Sequence, residues 1–139
     1  MNVLLFFCIL IMSSSSFSTP LELKACPNTP NCVSSTANDE HAIKPFTLTS
    51  GSTLNIQQLI QLINNSDSNV SVTHDAQHIH AEFTSRVFGF VDDLDLMINP
   101  TQNIINVRSA SRTGHYDFGV NRRRVEKLRG LFKDAGIIQ

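Results

Sequence analysis

Residues 69–111 read NVSVTHDAQHIHAEFTSRVFGFVDDLDLMINPTQNIINVRSAS, a period-two alternation broken by turn residues at Asp75-Ala76, Gly89 and Asn99-Pro100. Side chains two apart on a strand share a face, so this alternation predicts four short strands, each half buried. The connections are too short for crossovers and make hairpins, so the four strands form an antiparallel meander. Ile79, Ala81 and Phe83, then Leu94, Leu96 and Ile98, then Ile105 and Val107 fall on one face. His78, His80, Glu82, Arg86, Asp93, Asp95, Arg108 and Arg112 fall on the other.

Two helical patterns flank the meander. Before it, Leu54, Leu59, Ile60, Leu62 and Ile63 give an apolar stripe that predicts a helix from about Thr53 to Asn64, with Ser52 as N-cap. After it, Val125, Leu128, Leu131 and Phe132 predict a helix from about Phe118 to Ala135, capped by Asp117 and ended by Gly136. The expected fold is α+β, a four-stranded antiparallel meander with two helices packed on one face, like half of a TATA-binding-protein-type or helix-grip sandwich. A short stretch near Ile43 to Leu48 adds a candidate N-terminal strand.

The chain divides into an export signal over residues 1–18, an arm over 19–50 rich in Pro, Ser and Asn, and one α+β domain over 51–139. Val3 to Met12 is an apolar run followed by small residues, which reads as a secretory signal cut after Ser18. Periplasmic or secreted location follows, with membrane association expected only through an uncleaved N-terminal segment. Cys26 and Cys32, in CPNTPNC, form an even pair suited to an oxidising compartment, and a disulfide is the leading reading. A metal site on Cys26, Cys32 and His41 lacks a fourth ligand at a recognisable spacing. On one straight strand, His78, His80 and Glu82 span too far to hold zinc without help from another element. No metal and no cofactor are expected.

Charge is unevenly placed. Residues 1–103 carry Lys24, Lys44 and Arg86 against nine acids, whereas 104–133 carry eight basic residues against Asp117 and Glu126. The total of -1 is uninformative by itself; nucleic-acid binding, which would need a net basic face, is not expected. Within the basic stretch, VRSASRTGHYDFGVNRRRVEKLR (Val107 to Arg129) places Arg122, Arg123 and Arg124 in the first turn of a helix, against the positive end of its macrodipole. That arrangement calls for an acidic partner, either an internal carboxylate or a bound anion. Asp92 falls in phase with the apolar set, so it must meet an arginine inside the fold or carry a raised pKa suited to acid-base work.

The stretches CPNTPNCVSS, AEFTSRVFGFVDDLDL and VRSASRTGHYDFGVNRRRVEKLR, together with His41, resemble the domain-of-unknown-function family numbered 1499, known from exported bacterial and some plastid proteins. The resemblance covers nearly all of the chain after the signal. It implies a shared pattern that includes Cys26, Cys32, Ser34, Ser35, His41, Glu82, Arg86, Asp92, Asp93, Arg108, Ser109, Arg112, Asp117, Asn121 and Arg122. The family has no established activity for the resemblance to imply.

The expected function is therefore an exported domain that binds an anionic or amphipathic ligand, or an envelope partner, through Arg86, Arg108, Arg112, Asn121, Arg122 and Arg124. Glu82, Asp92, Asp93 and Asp117 are the expected structural ion-pair partners. One alternative is an acid-base hydrolase using His41 or Asp92 with an arginine clamp. Hydroxyls, imidazoles and carboxylates are present, but no G-x-S-x-G elbow, H-E-x-x-H helix or phosphate-binding glycine loop occurs, so enzyme function is not favoured. The other alternative is a non-catalytic structural envelope module.

Overall fold

The computed structural model describes residues 22–139, and the expected signal over 1–18 lies outside the described residues. The elements are β1 (Cys32–Ser34), β2 (Phe46–Thr47), α1 (Ile56–Ser66), β3 (Val70–His74), β4 (His78–Thr84), β5 (Val91–Asn99), β6 (Ile104–Ser111) and α2 (Val120–Asp134). The meander is present as β3-β4-β5-β6, all antiparallel. The sheet has six strands rather than four. Both extra strands lie along the free edge of β6, where Cys32 pairs with Ala110 and Phe46 with Ile105. One of them, β2, falls within the expected stretch near Ile43 to Leu48; β1 was not expected, because a strand of three residues is too short for alternation to register.

Both helices cover one face of the sheet. Leu59 and Ile63 of α1 and Val125, Leu128 and Phe132 of α2 are buried with Ile79, Leu94, Leu96, Ile105 and Val107. Phe46 meets Phe132 edge to face at 5.3 Å, which joins the β2 edge to α2. Cys26 and Cys32 are joined, with Cα atoms 5.7 Å apart, so the arm is stapled to β1.

Both helix starts lie later than expected. Gly51, with φ of 79°, turns the chain, and the Ser52 hydroxyl donates to the Thr49 carbonyl instead of capping. Asn55 is the N-cap of α1, accepting from the Gln58 N–H at 3.2 Å. Phe118 and Gly119 have φ of 52° and 75°, outside the helical region, so α2 cannot begin before Val120. Asp117 still performs the capping chemistry from further back, accepting from the N–H groups of Gly119 at 2.8 Å and Asn121 at 3.0 Å.

Candidate functional site

The arginines that cluster in the sequence separate in space. Arg122 donates to the Ala42 and Glu40 carbonyls, and Arg129 to those of Pro45 and Lys44, so both tie the arm to α2. Arg123 donates to the Phe118 carbonyl at 2.6 Å. Arg86 lies beyond the end of β4 and reaches the Ser68 hydroxyl, so it leaves the sheet face on which alternation places it. Backbone carbonyls and a hydroxyl thus meet most of the demand for a negative partner that the sequence raises.

Asp92 takes the first of its two expected states. It lies on the helix-covered face, and Arg124 Nη2 donates to Asp92 Oδ2 at 2.6 Å with both side chains largely buried. The Arg124 guanidinium also lies 4.5 Å from the centre of the Phe83 ring. Its Nη1 joins a polar knot centred on Asn121, a fully buried residue. The Asn121 carbonyl oxygen accepts from the Ser109 hydroxyl and Arg124. Its amide donates to Asp117 Oδ2, the Ser111 hydroxyl and the Asn31 carbonyl. Burial pushes the Asp117 carboxyl up, but hydrogen bonds from the Asn121 backbone and side chain and the Gly119 N–H outweigh it and hold the pKa below the usual carboxylate value. Asp117 forms no ion pair among the described residues, which corrects its expected role; it acts as a cap.

His41 lies elsewhere. It is buried, its Nδ1 is 2.9 Å from the Cys32 carbonyl, and Arg122 and Asp117 line the same cleft. Asp92 is not in that lining, so the two candidate acid-base groups do not form one centre.

The opposite, helix-free face gathers the remaining chemistry. Thr73, His80, Asp95, Arg108 and Ser34 stand directly across from one another on five successive strands. Lys24 to Pro27 of the arm form the wall of an open cleft of about 560 Å³ over this row, with His80, Asp93, Asp95, Arg108 and Arg112 on the sheet side. Arg112 grips Asp93 through Nε at 2.9 Å and Nη2 at 2.7 Å, and also contacts Glu82. Its hydrogen bonds hold the Asp93 carboxyl below its ordinary value despite partial burial. Arg108 differs from every other arginine. It is 8% exposed, makes no side-chain hydrogen bond or ion pair among the described residues, and its Nε is buried without a partner. Beside it, His78 Nε2 and His80 Nδ1 both approach Asp95 Oδ1, at 2.9 and 2.8 Å.

Asp95 falls on this face by alternation but is not among the candidate site residues expected from sequence. The signal was available, since the length of the β4–β5 hairpin fixes the register that sets His80 opposite Asp95. Val87, Phe88, Phe90, Tyr116, Phe118 and Val120, the exposed large apolar residues among the described residues, were not expected as site residues either. No helix among the described residues is long and apolar enough to cross a membrane.

No curated protein and no solved structure matches the chain. A family model described as "Protein of unknown function (DUF1499)" matches residues 22–132, a span that takes in nearly all of the arm, the whole sheet and nearly all of α2. The chain therefore belongs to this family.

Proposed function

We propose that the protein is an exported binding domain that takes a small anionic ligand, a phosphate or carboxylate, in the cleft between its N-terminal arm and the open face of its sheet. The carrying observation is Arg108. Its Nε is buried without a partner among the described residues, which is costly, and a bound anion would supply the missing acceptor. Lys24 adds positive charge at the rim of the same cleft, where Arg112 is paired with Asp93 and Glu82. Export is supported by the apolar run from Val3 to Met12 and by the joined Cys26 and Cys32.

Calorimetric titration with inorganic phosphate and with succinate tests this reading, using full-length protein treated with a chelator. Arg108→Met is expected to weaken binding of the better anion at least tenfold while folding as stably as the parent, because it removes an unpaired buried charge. Binding unchanged in Arg108→Met, or a stability loss above about 2 kcal/mol, would refute it, since the second result means that Arg108 has an internal partner.

A second reading, docking on an anionic lipid surface, is favoured by a separate observation. The exposed apolar residues fall in the β4–β5 hairpin and in the β6–α2 connection, with Val120 at the first position of α2. These loops share one end of the sheet, where Asp92 pairs with Ser111 and the Arg112 N–H bonds the Val91 carbonyl. Phe88 and Phe90 stack at 5.5 Å, and Phe118 is 88% exposed in a left-handed backbone conformation, strain that the fold sustains to present a phenyl ring to solvent. Arg86 and Arg123 at this end bond a hydroxyl and a carbonyl rather than carboxylates, so their charge faces solvent uncompensated. Exposed aromatics ringed by arginine match the chemistry of an anionic bilayer interface.

A further inference from the structure

We propose that His78, His80 and Asp95 form a binding site for a divalent transition-metal ion, with zinc the best fit, on the open face of the sheet. This inference does not rest on the anion-binding reading. The site is assembled from two strands. His78 and His80 stand two apart on β4 and so share a face, with ring centres 6.3 Å apart. Asp95 of β5 stands directly opposite His80 and supplies the ligand from a second element that a single strand lacks.

The geometry brings the donor atoms close to the arrangement a metal requires. Two imidazole nitrogens from different rings converge on one carboxylate oxygen, His78 Nε2 at 2.9 Å and His80 Nδ1 at 2.8 Å. All three donor atoms lie within 4.8 Å of one another. In a tetrahedral zinc site with bonds of about 2.0–2.2 Å, ligand atoms sit about 3.3 Å apart, so the ion needs each of these contacts to open by only about half an ångström. Two imidazoles and one carboxylate are the donor set zinc accepts at open sites, leaving the fourth position for water or a ligand atom. The three side chains are 20–29% exposed, so that position has access to solvent and to the cleft that His80 and Asp95 line.

An outer shell is present around His80. A histidine bound to metal through Nδ1 carries its proton on Nε2, and that N–H needs an acceptor that fixes the ring. His80 Nε2 lies 3.4 Å from Asp93 Oδ1, and Arg112 holds that carboxylate with two hydrogen bonds. His80 is thus placed between a metal ligand on one side and an anchored carboxylate on the other.

The experiment is calorimetric titration of zinc chloride into full-length, chelator-treated protein free of any histidine tag, with cobalt(II) absorption to read coordination. The expected result is one ion per chain with a dissociation constant in the micromolar range and the d–d bands of tetrahedral cobalt. His80→Ala is expected to weaken binding about 100-fold, and Asp95→Asn at least tenfold. Asp93→Asn is expected to weaken it about tenfold through the outer shell. His74→Ala, a substitution of an exposed histidine outside the cluster, should change nothing. Asp95→Asn preserves side-chain shape and keeps the test valid if the histidine variants fail to fold. Absence of binding by the parent at 1 mM zinc, or equal binding by parent and Asp95→Asn, would overturn the proposal.

Discussion

Replacement of Asn121 by alanine gives the sharpest test of how the arginine-rich motif is used. The residue is fully buried and takes part in five side-chain contacts, with Ser109, Arg124, Asp117, Ser111 and Asn31. Its amide has two hydrogens for three acceptors, so about four full hydrogen bonds are lost. Most partners keep a second contact. Arg124 still reaches the Ser109 hydroxyl at 3.1 Å, Asp117 keeps the Asn121 backbone N–H, and the Asn31 carbonyl keeps the Ser111 N–H. Four bonds at about 0.5–1.5 kcal/mol each, with few groups orphaned, give an expected loss of about 3 kcal/mol. That is a large part of the stability of a domain this size. Asn121→Asp keeps the volume and the acceptor but sets a carboxylate against Asp117 Oδ2, where the amide now lies at 2.9 Å. It should cost at least as much as alanine despite being isosteric. Urea unfolding followed by circular dichroism measures both, with an unchanged m-value confirming the same transition. A loss below about 1 kcal/mol for alanine, or near-parental stability for Asn121→Asp, would refute the view that this residue organises the fold.

Acid should weaken the domain in a defined window. Asp93 and Asp117 both have native pKa values below the unfolded value of about 3.9, so their contribution is fully present above that value and is lost as pH falls through the native values. Asp93→Asn and Asp117→Asn should each flatten the decline in stability measured from pH 5 to 2, and a parental slope in both would count against the assigned hydrogen bonds. On lipid, the parent should co-sediment with phosphatidylglycerol-rich vesicles and not with phosphatidylcholine vesicles, and Phe88→Ser with Phe118→Ser should reduce binding at least tenfold. Equal binding to both vesicle types, or none to either, would reject the docking reading.

The meander was legible because its strands are long enough for alternation to appear and its turns carry Asp75, Gly89 and Pro100. The helix bodies were legible for the same reason, through the stripes ending in Ile63 and Phe132. Their starts were not, because Asn55 rather than Ser52 caps α1 and because Phe118, before α2, adopts a left-handed conformation that a bulky residue rarely takes. Strand β2 lies within the candidate stretch near Ile43 to Leu48, whereas β1 escaped because it owes its pairing to the edge of β6 rather than to any pattern of its own. Asp92 was legible as a residue needing a partner, since a lone acid in an apolar phase leaves few physical options. Which arginine would meet it was not, because Arg122, Arg123 and Arg124 differ only in helical phase, and that phase depends on where α2 begins.

That dependence explains why a run of arginines was a poor guide to a binding site. Three consecutive residues on a helix point about 100° apart, so Arg122 turns to the arm, Arg123 back to its own loop and Arg124 down to Asp92. Each guanidinium is committed to a carbonyl, a hydroxyl or a carboxylate, and a committed donor has little left for a ligand. A strand behaves differently. Its alternation sends every second side chain to the same face, and register brings residues from distant sequence into one row, so His80, Asp95 and Arg108 stand abreast although 28 positions separate the first from the last. Binding chemistry in this fold is therefore sought where donors remain uncommitted. Arg108 is the arginine whose buried Nε has no partner among the described residues, and it lies in the same row as the histidine–aspartate cluster, on the face that neither helix covers.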